Sequence, residues 1–413
     1  MRTQRRAGIG TNQEAVRRHN LGTLLRHVHR AGQISRAELT SAMGLNRSTI
    51  AGLTAELESL GVTERALPGA LSGAGERQGA GRPSAGVRLA AEGPYVVAVD
   101  LGVDRVVAAR VSLGGRIALR AATTLSHPAE AWQVGATVAA LIRQVVAEAP
   151  ASAPLVGIGI GVPGLVRRAD GLVRLAPNLD WHDVSLSSVV LAALGIDIPV
   201  AVANDADLGA LAEHERGAGV GVDDLIYVSG NVGVGAGIIT GGQRLEGTGG
   251  YAGEIGHLRF DPTGEPCHCG SRGCWETVVG GHAIAAAISC PTAQVAQVDE
   301  VLADLADVPP PLRHIGTALG QGLASVVNAF NPRLVVLGGY FSPLYVLVRD
   351  EIEQGLTDAA LPAAIEAVSL VVPGLGGDSV LLGAAEMAFE PLFVDPVASL
   401  GNALLDVRSR LAG

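Results

Sequence analysis

Apolar residues between positions 14 and 60 recur at intervals of three and four, the spacing of one helix face. A first face is formed by Val16, Leu21, Leu24, Leu25 and Val28. A second is formed by Ile50, Leu53, Leu57 and Leu60. The pattern predicts two amphipathic helices, each with one buried face, and Gly32 is expected to end the first of them.

Signals for a further helix lie between these two. Ser35 and Glu38 have the spacing of a capping box, which opens a helix. Gly44 permits a tight turn, and Asn46 can cap the helix that follows. Three helices joined in this way predict a helix–turn–helix domain over residues 14–66.

The start of the third helix is polar. Arg47, Ser48 and Thr49 lie where a helix–turn–helix presents side chains to the major groove of DNA. Arg suits guanine or phosphate, and Ser and Thr suit bases or backbone. The predicted DNA contacts of this domain are Ser35, Arg36, Asn46, Arg47, Ser48 and Thr49. The alternative is a small helical dimerisation module with a solvated polar face.

The segment after Gly61 is rich in Gly, Pro and Ser, which predicts turns and loops. Its two ends, residues 62–66 and 87–89, have the positions of a hairpin wing. Arg82 is expected to enter a narrow minor groove, which attracts a guanidinium. We assign residues 67–92 to a wing and linker, with a plain flexible linker as the alternative.

Charge divides the chain of 413 residues into two parts. Residues 1–90 hold 13 Arg and 6 Glu, a net charge of +7, whereas residues 91–413 hold 17 Arg and 34 acidic residues, a net charge of −17. A basic segment ahead of an acidic body predicts contact with a polyanion such as double-stranded DNA. An Arg-rich disordered tail is the alternative, and residues 1–13 are assigned to a basic tail.

Membrane and secretion signals are missing from the sequence. No run of about 18 apolar residues lacks Gly, Pro or charge. The Arg-rich start lacks the apolar core of a signal peptide. We therefore expect a cytoplasmic protein of two or three domains with no membrane partner.

Three of the four cysteines lie close together. Cys267, Cys269 and Cys274 follow His257 within 17 positions. One imidazole and three thiolates satisfy the tetrahedral preference of Zn²⁺, and a closed set of four ligands is typical of structural zinc. A disulfide is disfavoured in a cytoplasm and leaves one Cys over. His268 is a competing ligand inside the loop.

Several segments together resemble one family, the ROK family of repressors and sugar kinases. The longest is "GGYAGEIGHLRFDPTGEPCHCGSRGCWE" at 249–276. The others are "GIGIGVPGLV" (157–166), "APNLDW" (176–181), "VANDADLGALAE" (202–213) and "NPRLVVLGG" (331–339). The resemblance covers residues 93–390. With the helix–turn–helix ahead of it, the chain resembles the family's transcription regulators.

The resemblance implies an α/β fold, with a winged helix–turn–helix followed by a two-lobed, actin-like body and a sugar in the cleft near residues 204–276. The residues that match the family's sugar contacts are Gly164, Asn178, Asn204, Asp205, Glu254, His257 and Glu276. Asp205 matches the family's catalytic base. His257 is expected to ligate zinc through one ring nitrogen and contact the sugar through the other. Turn, helix-cap or solvated-loop roles are the structural alternatives.

Both phosphate loops of the kinase members are altered. Residues 100–105 read Asp-Leu-Gly-Val-Asp-Arg where the kinases read roughly Asp-Ile-Gly-Gly-Thr-Lys, so Asp104 puts a negative charge beside a phosphate. In residues 230–237, Val232 replaces a hydroxyl donor with an apolar group. Tyr340 is expected to crowd the nucleotide side. These changes predict a vestigial base at Asp205 and no kinase activity.

The sequence therefore predicts a sugar-responsive DNA-binding regulator of carbohydrate metabolism genes, most often a repressor in this family. It would act as a homodimer or homotetramer on operator DNA, with a small sugar as effector. An ATP-dependent sugar kinase with an accessory head is the first alternative. The second is a regulator whose effector is a partner protein or a phosphorylated sugar. Residues 391–413 are assigned to a C-terminal tail.

Overall fold

A computed structural model describes residues 13–66, 86–125, 129–291, 295, 297–403 and 410 of the chain. Its helices are α1 (Gln13–Ala31), α2 (Arg36–Met43), α3 (Arg47–Ser59), α4 (Ala131–Val146), α5 (Leu186–Leu194), α6 (Asp205–Arg216), α7 (Glu276–Val279), α8 (Gly281–Ala287), α9 (Val298–Ala303), α10 (Pro310–Phe330), α11 (Phe341–Leu347), α12 (Arg349–Ala359), α13 (Pro362–Ile365), α14 (Ser379–Val394) and α15 (Pro396–Gly401). Its strands are β1 (Gln33–Ser35), β2 (Thr63–Ala66), β3 (Gly86–Leu89), β4 (Tyr95–Leu101), β5 (Arg105–Ser112), β6 (Arg116–Thr124), β7 (Leu155–Val162), β8 (Leu165–Arg167), β9 (Leu172–Ala176), β10 (Trp181–Val184), β11 (Val200–Asn204), β12 (Leu225–Gly230), β13 (Val234–Thr240), β14 (Gln243–Arg244), β15 (Leu334–Gly339) and β16 (Ser369–Val371).

Helices α1–α3 and strands β1–β3 form one unit, the head. Ser35 caps α2 in a capping box with Glu38, and Asn46 caps α3 by accepting from the Thr49 amide at 2.8 Å. Gly32 and Gly44 take positive φ at the two helix ends, as the sequence indicates. The apolar faces of α1 and α3 meet in the core of the head.

Two residues of these predicted faces differ from expectation. Val16 is 45% exposed, because α1 enters the core only from Leu21 onward. Leu60 is half-buried, since it follows the last residue of α3 as its C-cap.

The head carries a wing. Strands β2 and β3 pair antiparallel, with Thr63 opposite Leu89, and β1 pairs with the other edge of β3. The third strand, β1, has no counterpart in the sequence prediction. The tip between β2 and β3, with Arg82 in it, lies outside the described residues, as does most of the basic tail.

The rest of the chain forms two lobes, each built on a five-stranded sheet. The strand order is β11-β7-β4-β5-β6 in the first lobe and β14-β13-β12-β15-β16 in the second. In the first lobe β4, β5 and β6 pair antiparallel, and β7 and β11 extend the sheet parallel to β4. In the second lobe β12, β13 and β14 pair antiparallel, and β15 and β16 extend the sheet parallel to β12. The hairpins β4–β5 and β12–β13 therefore occupy equivalent places in the two lobes.

Each lobe has its own apolar core. In the first, α4 and α5 cover one face of the sheet and α14 covers the other. In the second, α10 and α12 pack together over apolar residues of β12 and β15. Helix α6 follows β11 of the first lobe but packs on β12 and β13 of the second. This is the two-lobed α/β body that the resemblance implies.

The head rests on helix α14. This helix crosses from residue 390, the predicted end of the body, into residue 391, the predicted start of a C-terminal tail, and continues to Val394. Its end packs against α1, where Gly22 lies directly on the carbonyl oxygen of Phe393. Arg26 contacts the Phe393 ring and bonds both oxygens of Glu390 at 2.9 and 3.0 Å. The end of α14, residues 390–394, thus forms the surface on which the head packs, here called the seat of the head.

Close packing at this seat generates a stability prediction. A Cβ added at Gly22 would lie 1.8 Å from the Phe393 carbonyl oxygen, so Gly22→Ala must push the two helices apart. We expect the free energy of unfolding to fall by about 1–3 kcal/mol, measured by denaturant titration.

Gly52→Ala in α3 is the matched control. No atom of the described residues lies within 4 Å of its added Cβ. Alanine is the better helix former, so this change is expected to stabilise by up to about 1 kcal/mol. Equal effects of the two substitutions would contradict the close contact between α1 and α14.

Candidate functional site

A cavity of about 770 Å³ lies between the two lobes, within the range of about 300–1,000 Å³ typical of small-molecule sites. All seven residues that match sugar contacts line it: Gly164, Asn178, Asn204, Asp205, Glu254, His257 and Glu276. The first four come from the first lobe and its connection to α6. The last three come from the second lobe, so a bound molecule would touch both lobes.

Backbone geometry positions the first-lobe residues. Gly164 has φ +115° and would bring a Cβ to 2.4 Å from the Leu175 carbonyl oxygen, so only glycine fits there. Its own carbonyl accepts from the Asn204 side chain at 3.0 Å. The other end of the Asn204 amide caps α6 by accepting from the Ala206 amide at 2.8 Å. Asn204 therefore holds the cavity wall and the start of α6 together.

Asp205 is the first residue of α6 and points into the cavity floor. One carboxylate oxygen accepts from the Asn231 amide at 2.8 Å, and the other accepts from the Ala206 amide at 2.9 Å. Burial raises the pKa of Asp205, and these hydrogen bonds oppose the rise. Sequence reasoning placed Asn231 only in an altered loop, because the contact joins residues 26 positions apart.

Glu276 and Glu254 face Asp205 from the second lobe. The Glu276 carboxylate accepts from the Val234 amide at 2.8 Å, which fixes it against the β12–β13 hairpin. Burial raises the pKa of Glu254 to about 7, and the nearby charges of Asp205, Asp207 and Glu276 add to the effect. A carboxyl that titrates near neutrality can donate or accept, which suits sugar hydroxyls.

Both hairpin turns open into the same cavity. Burial and the charge of Asp205 raise the pKa of Asp100, at the end of β4, to about 6. Asp104 lies in the β4–β5 turn, and Asn231 and Val232 lie in the β12–β13 turn. The Tyr340 hydroxyl donates to the Gly233 carbonyl at 3.0 Å, and its ring is buried beside Gly230. The kinase-type loop positions are thus lined by carboxylates and a phenol.

His257, Cys267, Cys269 and Cys274 form a second cluster at the cavity edge. Their four candidate ligand atoms lie within 4.8 Å of one another. The Sγ atoms of Cys269 and Cys274 are 3.6 Å apart, and His257 Nδ1 is 3.7 Å from Cys267 Sγ. Tetrahedral Zn²⁺ with Zn–S bonds of about 2.3 Å separates its sulfurs by about 3.8 Å. The donor set and its spacing therefore fit a metal ion.

The two competing interpretations of this cluster fit less well. A disulfide needs sulfurs about 2.05 Å apart, much closer than the Cys269–Cys274 pair. His268 lies outside the four-residue cluster and stacks on His282, with ring centroids 6.2 Å apart.

The polar end of α3 is solvent-exposed. Arg47 is exposed and forms no ion pair or hydrogen bond with any residue that the structure describes. Ser48 donates to the Asn46 side chain at 2.7 Å, and Thr49 is half-buried.

The remaining predicted DNA contacts have partners within the head. Ser35 is occupied at the α2 cap, and Arg36 lies 3.4 Å from Glu58 of α3. Asn46, Arg47 and Ser48 are the exposed members of the predicted set within the head.

Comparison with known proteins identifies the family. The sequence profile of the ROK family matches residues 96–390. The chain belongs to the ROK family. The xylose repressor of Bacillus spizizenii is 30% identical over 386 residues, which cover 92% of this chain and 97% of the relative. The family resemblance seen in the sequence is therefore confirmed.

Solved ROK structures include both regulators and kinases. The crystal structure of a ROK family transcriptional regulator, a homologue of the E. coli MLC protein, matches with a TM-score of 0.73 and 27% identity. It covers 97% of this chain and all of its own. A ROK glucokinase from Streptomyces griseus, solved with glucose and AMPPNP, matches with a TM-score of 0.60 and 30% identity over 71% of this chain and 98% of its own.

Among the residues that the structure describes, no helix combines the length and the apolar character needed to cross a membrane.

Buried charge near the cavity generates a pH prediction. Burial raises the pKa of Asp207, in the first turn of α6, to about 7, well above its unfolded value near 4. The folded state then binds more protons than the unfolded state between these values, so this group lowers stability as pH rises from about 4 to 7. Asp207→Asn removes that loss. We expect its melting temperature to exceed the parent's more at pH 8 than at pH 5.

Proposed function

We propose that this protein is a sugar-responsive, DNA-binding transcription repressor of carbohydrate metabolism genes. It acts in the cytoplasm as a homodimer or homotetramer, and its winged head binds double-stranded operator DNA. The effector is a small sugar in the cavity between the lobes, held by Gly164, Asn178, Asn204, Asp205, Glu254, His257 and Glu276.

One observation carries this proposal, namely the presence of a winged head and a ROK body in one chain. The xylose repressor and the ROK regulator match 92% and 97% of the chain, whereas the glucokinase structure matches 71%. Arg47 is exposed at the start of α3, and residues 1–90, which include the head, have a net positive charge. Both features favour binding to the negatively charged phosphate backbone of DNA.

We propose further that the kinase site is inactive. Asp104 stands where the kinases' first loop has a hydroxyl residue beside the phosphate, and Val232 replaces a hydroxyl donor in the second loop. An anionic phosphate placed against the Asp104 carboxylate would be repelled in a partly dry cleft. Asp205 is then a vestigial base that binds a hydroxyl.

A sugar kinase remains the second candidate, because Asp205 is in place and a glucokinase matches the body. Sugar-dependent ADP release that disappears in Asp205→Asn would decide for the kinase.

The test of the repressor function is fluorescence anisotropy on labelled DNA from upstream of the protein's own gene, at fixed salt, with D-xylose, D-glucose and other monosaccharides. Arg47→Ala is expected to weaken DNA binding about tenfold or more, since a base contact contributes about 1–3 kcal/mol. Arg313→Ala is the control. Arg313 forms an exposed ion pair with Glu351 on the second lobe, so its loss should leave DNA affinity unchanged.

Glu254→Gln should abolish the sugar response and spare DNA binding. Glu300→Gln, at a cavity position outside the predicted sugar contacts, is its control. Specific binding indifferent to every sugar would contradict the sugar effector and favour a phosphosugar or a protein.

We also propose that the His257–Cys267–Cys269–Cys274 cluster holds a structural Zn²⁺. When bound, zinc would cross-link the loop and so hold His257 next to Glu254 and Glu276. His257 would ligate through Nδ1, which faces Cys267, and leave Nε2 for the sugar.

This proposal predicts about one zinc per chain by elemental analysis. Cys269→Ser should lose the metal and lower the melting temperature, because three ligands bind it less tightly. Cys290→Ala, outside the cluster, should keep the full zinc content. Equal zinc in both variants would exclude the cluster as the site.

A further inference from the structure

Helix α6 connects the sugar cavity to the DNA-binding head. Its 12 residues span about 18 Å along the axis. Asn204 and Asp205 at its start line the cavity, and Glu215 and Arg216 at its end contact the head.

The cavity end of α6 is tied to both lobes. Asn204 bonds Gly164 of the first lobe while capping the helix, and Asp205 accepts from Asn231 of the second lobe. A sugar that bonds either residue therefore acts directly on the first turn of α6. Movement of the lobes relative to each other would do the same.

The N-terminal half of α6 is closely packed on two sides. A Cβ added at Gly237 of β13 would lie 2.3 Å from the Ala206 carbonyl oxygen, and one added at Gly383 of α14 would lie 2.0 Å from that of Leu208. Backbones in such close contact leave little room for bending, so displacement at one end is transmitted to the other. Helix α6 is thus expected to move as a rigid body.

The far end of α6 enters a buried polar network. The Arg216 guanidinium contacts the Glu386 carboxylate, and it donates to the carbonyl oxygens of Gly114 at 3.0 Å and His29 at 3.3 Å. It also contacts the His29 ring. Glu386 and His29 are 5% and 1% exposed, so neither has water as an alternative partner.

His29 belongs to α1 of the head and is held as a neutral ring. The Gly114 amide donates to its Nδ1 at 3.0 Å, which leaves the ring proton on Nε2, 2.9 Å from Glu386. Beside it, Arg30 bonds Glu215 of α6 at 2.6 Å in a more exposed position. Two consecutive residues at the end of α6, Glu215 and Arg216, therefore contact two consecutive residues of the head. Glu215 pairs with Arg30, and Arg216 contacts His29.

We infer that Arg216 and Glu215 are positioning residues that couple the sugar cavity to the DNA-binding head through α6. This inference rests on the proposed function and specifies its mechanism. A sugar that favours one position of α6 favours one position of the head, and the strength of coupling equals the ratio of DNA affinities without and with sugar. At saturating sugar, a substitution that affects only folding, or that weakens sugar binding equally in the free and the DNA-bound protein, would not change that ratio.

The test measures that ratio by anisotropy, with the same DNA fragment and with D-xylose or D-glucose, whichever alters binding to the unsubstituted protein. Arg30→Gln breaks the exposed link between the head and α6. We expect the ratio to fall at least threefold toward one, while the sugar dissociation constant in the absence of DNA changes less than twofold. Arg30→Glu combined with Glu215→Arg restores the pair in reverse and should restore the ratio.

Arg18→Gln is the matched control, because Arg18 pairs with Asp395 at 3.0 Å, beyond the end of α14 and away from α6. It should keep the full ratio. An unchanged ratio in Arg30→Gln, or failure of the charge reversal to restore it, would overturn the inference. Arg216→Lys, which keeps the charge but cannot reach all its partners, provides a second variant with an expected larger loss.

The outcomes separate this inference from the proposed function. If the unsubstituted protein binds no DNA, or binds it without any sugar effect, the repressor proposal fails and the inference with it. If the unsubstituted protein responds and Arg30→Gln responds equally, the repressor proposal stands and only the coupling route through α6 is excluded.

Discussion

Glu386 is a buried carboxylate in the middle of α14. Its charge must be balanced by hydrogen-bonding or oppositely charged groups, and this requirement determines how the head, α6 and α14 pack together. Burial alone would raise the pKa of Glu386, but the hydrogen bond from His29 and the charge and hydrogen bond of Arg216 lower it to about 2, so the group stays ionised. A buried charge without such partners is strongly unfavourable. Because one partner comes from the head and the other from α6, satisfying Glu386 also docks the head on the body.

The cavity lies between two lobes whose five-stranded sheets share the same strand arrangement. Equivalent hairpins of the two lobes, β4–β5 and β12–β13, open toward each other, and α6 crosses from one lobe to the other between them. In this chain the hairpins carry Asp104 and Val232, and Tyr340 bonds the second turn. Burial and the charge of Asp205 raise the pKa of both Asp100 and Glu254, and all seven residues that match sugar contacts line the same cavity.

Local signals in the sequence predicted much of the head correctly. The capping box at Ser35, the cap at Asn46 and the glycine ends at Gly32 and Gly44 each depend on residues a few positions apart. The His–Cys cluster was recognisable for the same reason, since three of its ligands lie within eight positions. The pairing of Arg36 with Glu58 was not predictable in this way, because Glu58 lies on another helix.

The sequence by itself determined the three helices of the head, because short motifs and apolar periodicity encode local structure. Its resemblance to the ROK family also indicated seven of the residues that line the cavity. Only the tertiary structure decided that Asp205 bonds Asn231, that α14 continues past residue 390 into the seat of the head, and that Arg216 meets His29 and Glu386. The side-chain contacts among these join residues 26 to 187 positions apart. The residues adjacent in sequence do not specify these pairs. They depend on which apolar faces and which charged groups are buried against each other in the complete fold.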